Sequence, residues 1–179
     1  NLRRYLGPPL RKSFGEHFSD PAKIEEATEL YRESYREKGS HEGTAYPGAA
    51  EMLRLLKEAG FVLCTATSKP TVVVTPILEE QGLAPYFDFI GGASMDEARV
   101  NKDDVIRYVL EENCISEEEK PSVIMVGDRE HDVYGAKKTG LSVIGVLYGY
   151  GSREELQSAG TDYLCETPEE TAKLLKGMM

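Results

Sequence analysis

Apolar residues recur along this chain with two different spacings. Short continuous apolar runs, of which "FVLCTATS" (61–68) and "SVIMVG" (122–127) are the clearest, are typical of buried β-strands. Between them apolar residues recur at helical spacing, as in "NKDDVIRYVLEEN" (101–113), where Val105 and Val109 share one face. Because strands alternate with helices, the pattern predicts an α/β fold: a Rossmann-like parallel sheet with helices on both faces.

Capping residues mark where the predicted helices begin and end. Asp20, followed by Pro21, starts a helix that the pattern extends to Gly39. Another helix follows residue 69, and Pro76 must either kink it or begin it with Thr75 as the N-cap. Further helices are expected to start near Pro47, Asn101, Glu130, Ser152 and Thr167, the last two as capping boxes with Glu155 and Glu170.

The composition of the chain excludes some classes of function but says little about the fold. With 31 acidic against 21 basic residues, the formal net charge of −10 is poorly suited to the phosphate backbone of nucleic acids or to an anionic membrane surface. No apolar run reaches the length of a membrane span. Cys64, Cys114 and Cys165 are odd in number and widely spaced. They indicate neither a disulfide framework nor a zinc site, and a reducing, cytoplasmic location is expected.

Hydroxyl, ammonium and carboxylate side chains stand where the predicted strands end. Thr67 and Ser68 close the first strand, where a hydroxyl and backbone N–H groups can hold an anion. Lys102 lies in the first turn of a helix, against the macrodipole, and is either a solvated lysine or the partner of an anion. Asp128 and Asp132 offer the hard oxygen ligands that Mg²⁺ uses, but a turn residue and a helix N-terminal charge explain them equally well. Since ligands of open α/β sheets bind at the carboxyl ends of strands, these side chains are expected at one site.

Three stretches resemble, in order and in spacing, motifs two, three and four of the haloacid dehalogenase (HAD) superfamily of hydrolases. They are "TATSKP" (65–70), "NKDDVI" (101–106) and "VIMVGDREHDVYGAKKTG" (123–140). "YPGAAEMLRLLKEAGFVL" (46–63) resembles the approach to motif two in the phosphoglycolate phosphatase-like branch, and "NLRRYLGPPL" (1–10) resembles part of its helical cap. The resemblance implies a small helical cap, of which residues 1–43 are a part, and a HAD-like α/β core formed by residues 44–179.

The resemblance also implies a reaction, the hydrolysis of a small phosphorylated metabolite through an aspartyl-phosphate with Mg²⁺. By motif, Thr67 and the Ser68 backbone would bind the transferring phosphoryl group, and Lys102 would balance charge between the nucleophile and the phosphoryl oxygens. Asp128 would bind Mg²⁺, and Asp132 would hold the metal shell or its waters. Phosphoglycolate is the expected substrate, with nucleotidase or pyrophosphatase activity as alternatives.

Motif one, an apolar strand followed by Asp-x-Asp-Gly-Thr, has no match in residues 1–40, where Asp20 is the only aspartate. The nucleophile is therefore expected in a segment that precedes Asn1, and residues 1–179 alone are expected to be inactive. A HAD-like protein that binds phosphate and metal without turnover is the alternative. The first two strands named above are expected to flank a central strand rather than to pair with each other.

Overall fold

The computed structural model of the chain describes residue 5, residues 8–96 and residues 98–178. Of the stretch 1–10 that resembles a cap, residues 1–4, 6 and 7 thus lie outside the described part. In the described residues, parallel strands alternate with helices along the chain. The predicted α/β class with a Rossmann-like parallel arrangement is confirmed.

The helices and strands follow the predicted order. They are α1 (Leu10–Gly15), α2 (Pro21–Ser34), a π-helical turn (Tyr35–Gly39), α3 (Ser40–Glu42), α4 (Ala49–Glu58), β1 (Cys64–Pro70), α5 (Thr71–Glu80), β2 (Phe89–Ala93), α6 (Lys102–Glu112), β3 (Ile124–Gly127), α7 (Glu130–Thr139), β4 (Ser142–Val146), α8 (Arg153–Ala159), β5 (Tyr163–Cys165) and α9 (Pro168–Lys176). Gly140 and Gly160 end α7 and α8 in the left-handed conformation, with φ of 81° and 91°, which glycine adopts without steric cost. Asp20 caps α2 as predicted, since its carboxylate accepts a hydrogen bond from the Ala22 N–H at 3.0 Å.

The strands form two parallel groups. β1 pairs with β2, and β4 lies between β3 and β5. β1 and β3 are not paired with each other, as expected for strands that flank a third, and a strand between them stays a prediction. α6 packs against β1, β2 and α7, so this helix connects the two groups of strands.

The hydrophobic core lies on both faces of β4. Adjacent residues of a strand point to opposite faces, so Val143 and Ile144, both fully buried, enter different clusters. On the Val143 face, β4 meets apolar residues of α6, α7 and α8, among them Ile106, Val133 and Leu156. On the Ile144 face it meets Leu56 of α4 and Leu175 of α9. Helices therefore cover the sheet on both sides, and the loops at its carboxyl edge are held by rigid elements.

The helices before residue 44 are far less buried than the core. In α2 only Thr28 is fully buried, whereas Leu30 and Tyr31 are 59% and 45% exposed. The apolar residues of this helix are therefore not all part of the core. Tyr31 stacks on Tyr35 of the π-helical turn, with ring centroids 6.0 Å apart and planes 13° apart. The division into a cap over residues 1–43 and a core stays a prediction.

Several element boundaries differ from the predicted ones. β1 starts at Cys64 rather than at residue 61, since the Phe61 N–H donates to the Leu56 carbonyl of α4 rather than to a neighbouring strand. α5 begins at Thr71 and carries Pro76 in its interior. Thr75 is not an N-cap, since its hydroxyl donates to the Thr71 carbonyl at 2.9 Å. The pattern does not predict β5, because three residues are too few for a periodic signal.

Candidate active site

Thr67 and Ser68 lie where β1 leaves its pairing with β2. Thr67 is opposite Gly92, and the register then shifts so that Pro70 is opposite Ala93. A Cβ atom at Gly92 would lie 2.4 Å from the Lys69 carbonyl oxygen, so the glycine allows this close approach. The Thr67 hydroxyl oxygen accepts a hydrogen bond from the Lys69 N–H at 3.2 Å. Its own proton therefore remains available to a ligand.

Lys102 connects the end of β1 to the first turn of α7. Its ammonium lies 2.7 Å from the Ala66 carbonyl oxygen and 2.8 Å from Oδ1 of Asp132. The aliphatic part of the side chain packs on Gly135 of α7, where a Cβ atom would lie 2.5 Å from Cγ of Lys102. The side chains of the pair are only 13% and 10% exposed. Of the two explanations left open by the sequence, the structure thus favours an anionic partner over a solvated lysine.

Both carboxylate oxygens of Asp132 have partners among the described residues. Oδ2 accepts hydrogen bonds from the N–H groups of Asp128 and Arg129, each at 3.1 Å, and Oδ1 faces Lys102. The position is the third of α7, where a carboxylate satisfies free N–H groups and the helix dipole favours negative charge. Asp132 thus fixes the loop that carries Asp128, and Gly127 leaves room for it, since a Cβ there would lie 2.3 Å from Cβ of Asp132.

Asp128 follows β3 directly and keeps one carboxylate oxygen free. Oδ2 accepts a hydrogen bond from the Tyr150 N–H at 2.8 Å, and the Gly151 N–H donates to the Asp128 carbonyl at 2.9 Å. Oδ1 has no hydrogen-bond partner among the described residues. Partial burial raises the pKa of Tyr46, and the negative charge of Asp128 raises it further, which places this tyrosine near the carboxylate.

Lys69 is a site residue that the sequence did not single out. The residue is exposed, yet its ammonium lies 6.0 Å over the ring centroid of Tyr35, between the π-helical turn and the end of β1. Desolvation by surrounding protein atoms lowers the pKa of Lys69, and the charge of Lys102 lowers it further, while Asp128 opposes the shift. The charges of Lys69, Lys102 and Asp128 are therefore close enough to influence one another. A lysine that follows two hydroxyl residues at the end of a strand is a weak sequence signal for a site residue. The direction of the Lys69 side chain depends on the register shift in β1, which the sequence does not reveal.

Glu155 is the second residue whose place the sequence did not reveal. It was predicted as the distal member of a capping box with Ser152, and the Ser152 hydroxyl does accept from the Glu155 N–H at 3.2 Å. Its carboxylate, however, accepts hydrogen bonds from Nε of Arg129 at 2.7 Å and from the Glu130 N–H at 3.0 Å. Burial alone would raise the pKa of Glu155, but these two donors outweigh it and the net direction is down.

The donor set is compatible with a hard divalent cation. In the described part of the chain, no three His, Cys, Asp or Glu side chains are grouped as a complete metal site. Mg²⁺, however, commonly takes one or two protein carboxylates and fills its octahedron with waters and phosphate oxygens. The free Oδ1 of Asp128 fits such a ligand, whereas Asp132 is engaged elsewhere. Two shallow cavities, about 350 Å³ beside α2 and about 450 Å³ beside α9, include none of these residues.

The fold places this chain among Rossmann-like α/β proteins that carry their polar side chains at the carboxyl edge of the sheet. A model of the haloacid dehalogenase-like hydrolase family matches residues 1–146. The chain therefore belongs to that family, as the three motifs predicted. In the described residues, no helix is long and apolar enough to cross a membrane.

Relatives of known name point to phosphatases. The chain is 35% identical over 165 residues to a 5'-nucleotidase of Pseudomonas aeruginosa, covering 92% of this chain and 73% of that protein. It is 32% identical over 143 residues to a phosphoglycolate phosphatase of Vibrio vulnificus, covering 79% of this chain and 61% of that protein. The crystal structure of a predicted phosphatase from Clostridium acetobutylicum matches with a TM-score of 0.90 at 44% identity, covering 97% of this chain and 80% of the other.

These similarities confirm the predicted assignment to the phosphoglycolate phosphatase-like branch and to hydrolases of the phosphatase kind. The chain spans less than two thirds of the length of the Vibrio relative.

Proposed function

We propose that the protein is a Mg²⁺-dependent hydrolase of small phosphomonoesters that acts through an aspartyl-phosphate intermediate. The observation that carries this proposal is the position of the Lys102 ammonium, which contacts both the end of β1 and Asp132 of α7. It brings a hydroxyl group, a positive charge and a carboxylate with a free oxygen to one edge of the sheet. Phosphoryl transfer requires mainly positioning and stabilisation of charge, and these groups supply both.

Thr67 and Ser68 are the proposed ligands of the transferring phosphoryl group. Thr67 receives the Lys69 N–H and can donate its own hydroxyl proton, and the Ser68 hydroxyl makes no hydrogen bond to the described residues. Lys102 and Lys69 add positive charge nearby. Desolvation lowers the pKa of Lys69 and the charge of Lys102 lowers it further, and a bound anion would oppose both effects. Thr67 and Lys102 are the proposed catalytic residues of this chain.

Asp128 is the proposed protein ligand of Mg²⁺, through its free Oδ1, while Asp132 orients the loop by accepting the Asp128 N–H. When bound, Mg²⁺ would neutralise charge on the phosphoryl oxygens. Asp132 then acts through position, since it fixes the direction of the Asp128 backbone. Lys102 acts directly, because its ammonium holds a positive charge close to the end of β1, where the phosphoryl group is proposed to bind.

The nucleophile is proposed to lie on a further strand between β1 and β3. Neither carboxylate of the site is suited to attack, because Asp132 has both oxygens engaged and Asp128 is held by Tyr150 and Gly151. Family membership implies an aspartate that ends an apolar strand, and β1 and β3 are two strands that do not pair with each other. A strand there would place its carboxyl end beside Thr67 and Lys102.

Two substrates are proposed from the relatives. Phosphoglycolate comes first, because several curated relatives are phosphoglycolate phosphatases. A nucleoside 5'-monophosphate is the second, because the 5'-nucleotidase relative matches 92% of this chain. A protein that binds phosphate and metal without turnover is the remaining alternative, and only an assay separates it from the enzyme.

The test compares the 179-residue protein with the same chain joined at its N-terminus to an apolar strand ending in Asp-x-Asp-Gly-Thr. Phosphate release from phosphoglycolate and from a nucleoside 5'-monophosphate is measured with Mg²⁺ and with EDTA. We expect turnover only in the joined chain and only with Mg²⁺, and its loss when the first aspartate of the added motif becomes asparagine. Turnover that EDTA leaves unchanged would exclude the metal, and a soluble, folded joined chain that never turns over would favour the inactive alternative.

A further inference from the structure

The segment between β4 and α8 packs against one side of Asp128. Residues Gly149–Gly151, named here the glycine loop, approach the Asp128 side chain and backbone together. The Tyr150 N–H donates to Oδ2 at 2.8 Å, and the Gly151 N–H donates to the carbonyl oxygen at 2.9 Å. One loop thus fixes both the carboxylate and the peptide of the same aspartate.

The two glycines of the loop are required by space rather than by backbone conformation. A Cβ atom at Gly149 would lie 2.3 Å from Cβ and 2.4 Å from Oδ2 of Asp128. At Gly151 it would lie 2.1 Å from the Asp128 carbonyl oxygen. Neither glycine has a positive φ, so a side chain at these positions would be excluded by Asp128 alone. The short "GYGS" stretch is therefore shaped around this carboxylate.

Glu155 of α8 fixes the two residues that follow Asp128. Its carboxylate accepts from Nε of Arg129 and from the Glu130 N–H, and the Arg129 and Glu155 side chains are only 11% and 24% exposed. Glu155 fixes the residues that follow Asp128, and the glycine loop fixes the Asp128 carboxylate. Both restraints therefore come from residues 149–155. The free Oδ1 is left as the one carboxylate oxygen of Asp128 without a described donor.

We propose that residues 149–155 are a positioning element that presents Oδ1 of Asp128 to a divalent cation, with Gly149, Gly151 and Glu155 as its positioning residues. The inference rests on the proposed metal site at Asp128. Residues that orient a metal ligand without touching the metal commonly change metal affinity by about 10- to 100-fold when they are replaced. A role confined to folding would change stability and leave the affinity of the folded protein unaltered.

The test measures Mn²⁺ binding to the 179-residue protein by the loss of the electron paramagnetic resonance signal of free Mn²⁺. Asp128→Asn serves as the reference for the metal site. We expect Gly149→Ala and Glu155→Ala each to weaken Mn²⁺ binding by about tenfold or more. Glu155→Gln should stay within about threefold of the unaltered protein, because an amide oxygen still accepts from Arg129 and Glu130.

Matched controls separate position from general damage. Gly43→Ala adds a Cβ atom where the nearest atom lies 4.0 Å away, and Glu154→Gln removes the same charge from a neighbouring exposed position of α8. Both should bind Mn²⁺ normally, and circular dichroism melting identifies any variant that does not fold.

The outcomes distinguish this inference from the proposed function. If Asp128→Asn binds Mn²⁺ as well as the unaltered protein, the metal site and the positioning element both fail. If Asp128→Asn weakens binding but folded Glu155→Ala and Gly149→Ala do not, the positioning element alone is refuted. Should Gly149→Ala not fold, the contrast between Glu155→Ala and Glu155→Gln decides the matter.

Discussion

The Lys102 side chain extends from the first turn of α6 toward β1 and α7, where its ammonium contacts Ala66 and Asp132. At the first position of α6 an ammonium opposes the helix dipole, at a cost of a few tenths to about 1 kcal/mol. The side chain instead crosses to Asp132, which stands near the start of α7, where negative charge is favoured. One buried pair thus offsets an unfavourable placement on one helix with a favourable placement on another. It also connects the two halves of the candidate site.

Removal of one member of this pair should be costly. We expect Lys102→Met to destabilise the protein by about 3–5 kcal/mol, because Asp132 is then left as a buried carboxylate with one oxygen unpaired. The free energy of unfolding is measured by urea denaturation. Arg107→Met is the matched control on α6, since Arg107 is 46% exposed and its ion pairs with Asp103 and Asp104 should contribute less than about 1 kcal/mol.

The double variant Lys102→Met with Asp132→Asn completes the comparison. It should recover part of the lost stability, because no unpaired charge remains in the interior. A Lys102→Met protein that unfolds at the same urea concentration as Arg107→Met would show that the pair is solvated in solution.

At the scale of elements, Asp162 connects α7 to the strands beside it. It lies in the turn before β5 and accepts hydrogen bonds from the Lys137 ammonium at 2.6 Å and from the Val143 N–H at 2.7 Å. Lys137 belongs to α7 and Val143 to β4, so one carboxylate joins a helix, a strand and the turn before a third element. β5 has only three residues, and this contact helps to fix its register against β4.

The same carboxylate should make stability depend on pH. The Lys137 hydrogen bond lowers the pKa of Asp162, partial burial opposes it, and the Val143 N–H lowers it again. A folded pKa below the unfolded value of about 3.9 adds stability above that pH, and the stability is lost as pH falls through the folded pKa. We expect Asp162→Asn to be less stable than the unaltered protein at pH 6 and the difference to shrink between about pH 4 and pH 2.

Urea midpoints measured from pH 6 downwards test this expectation. Glu33→Gln, on the exposed side of α2, is the control and should follow the unaltered protein at every pH. A difference between Asp162→Asn and the unaltered protein that stays constant down to pH 2 would contradict the assigned direction of the pKa.

At the scale of the whole molecule, the two groups of strands are held together by α6 and by Lys102 rather than by backbone pairing. α6 packs against β1, β2 and α7, and the Lys102 ammonium contacts the Ala66 carbonyl of β1. β3 is paired on one side by β4, and its other edge has no strand partner among the described residues. A strand edge of this kind presents N–H and C=O groups that can pair with another strand.

Amide hydrogen exchange should report the open edge. We expect the alternate amides of β3 that point away from β4 to exchange at least about tenfold faster than those of β4, which is paired on both sides. In the chain joined to an apolar Asp-x-Asp-Gly-Thr strand these β3 amides should become protected. β4 is the internal control, and unchanged exchange in β3 of the joined chain would exclude a strand between β1 and β3.

Local pattern accounts for much of the fold and less of the site. The buried face of α6, the end of α7 at Gly140 and the cap of α2 at Asp20 follow from spacing and capping residues, and the structure has them. The direction of Lys69 and the partners of Glu155 do not follow, because each depends on residues distant in the chain. Leu30 of α2 shows the limit of local pattern, since it is an apolar residue at helical spacing and yet is 59% exposed in the described part of the chain.

Reading the chain alone was enough for the alternation of strands and helices, the family, and the residue types at the strand ends. These properties are local, since periodicity, caps and motifs are read over a few neighbouring positions. Three features of the site become visible only in the folded chain: Lys102 pairs with Asp132, Oδ1 of Asp128 has no donor among the described residues, and the glycine loop lies against that aspartate. The physical reason is that hydrogen bonds and close contacts act over a few ångströms, and the fold alone brings residues 102, 128, 132 and 149–155 within that range.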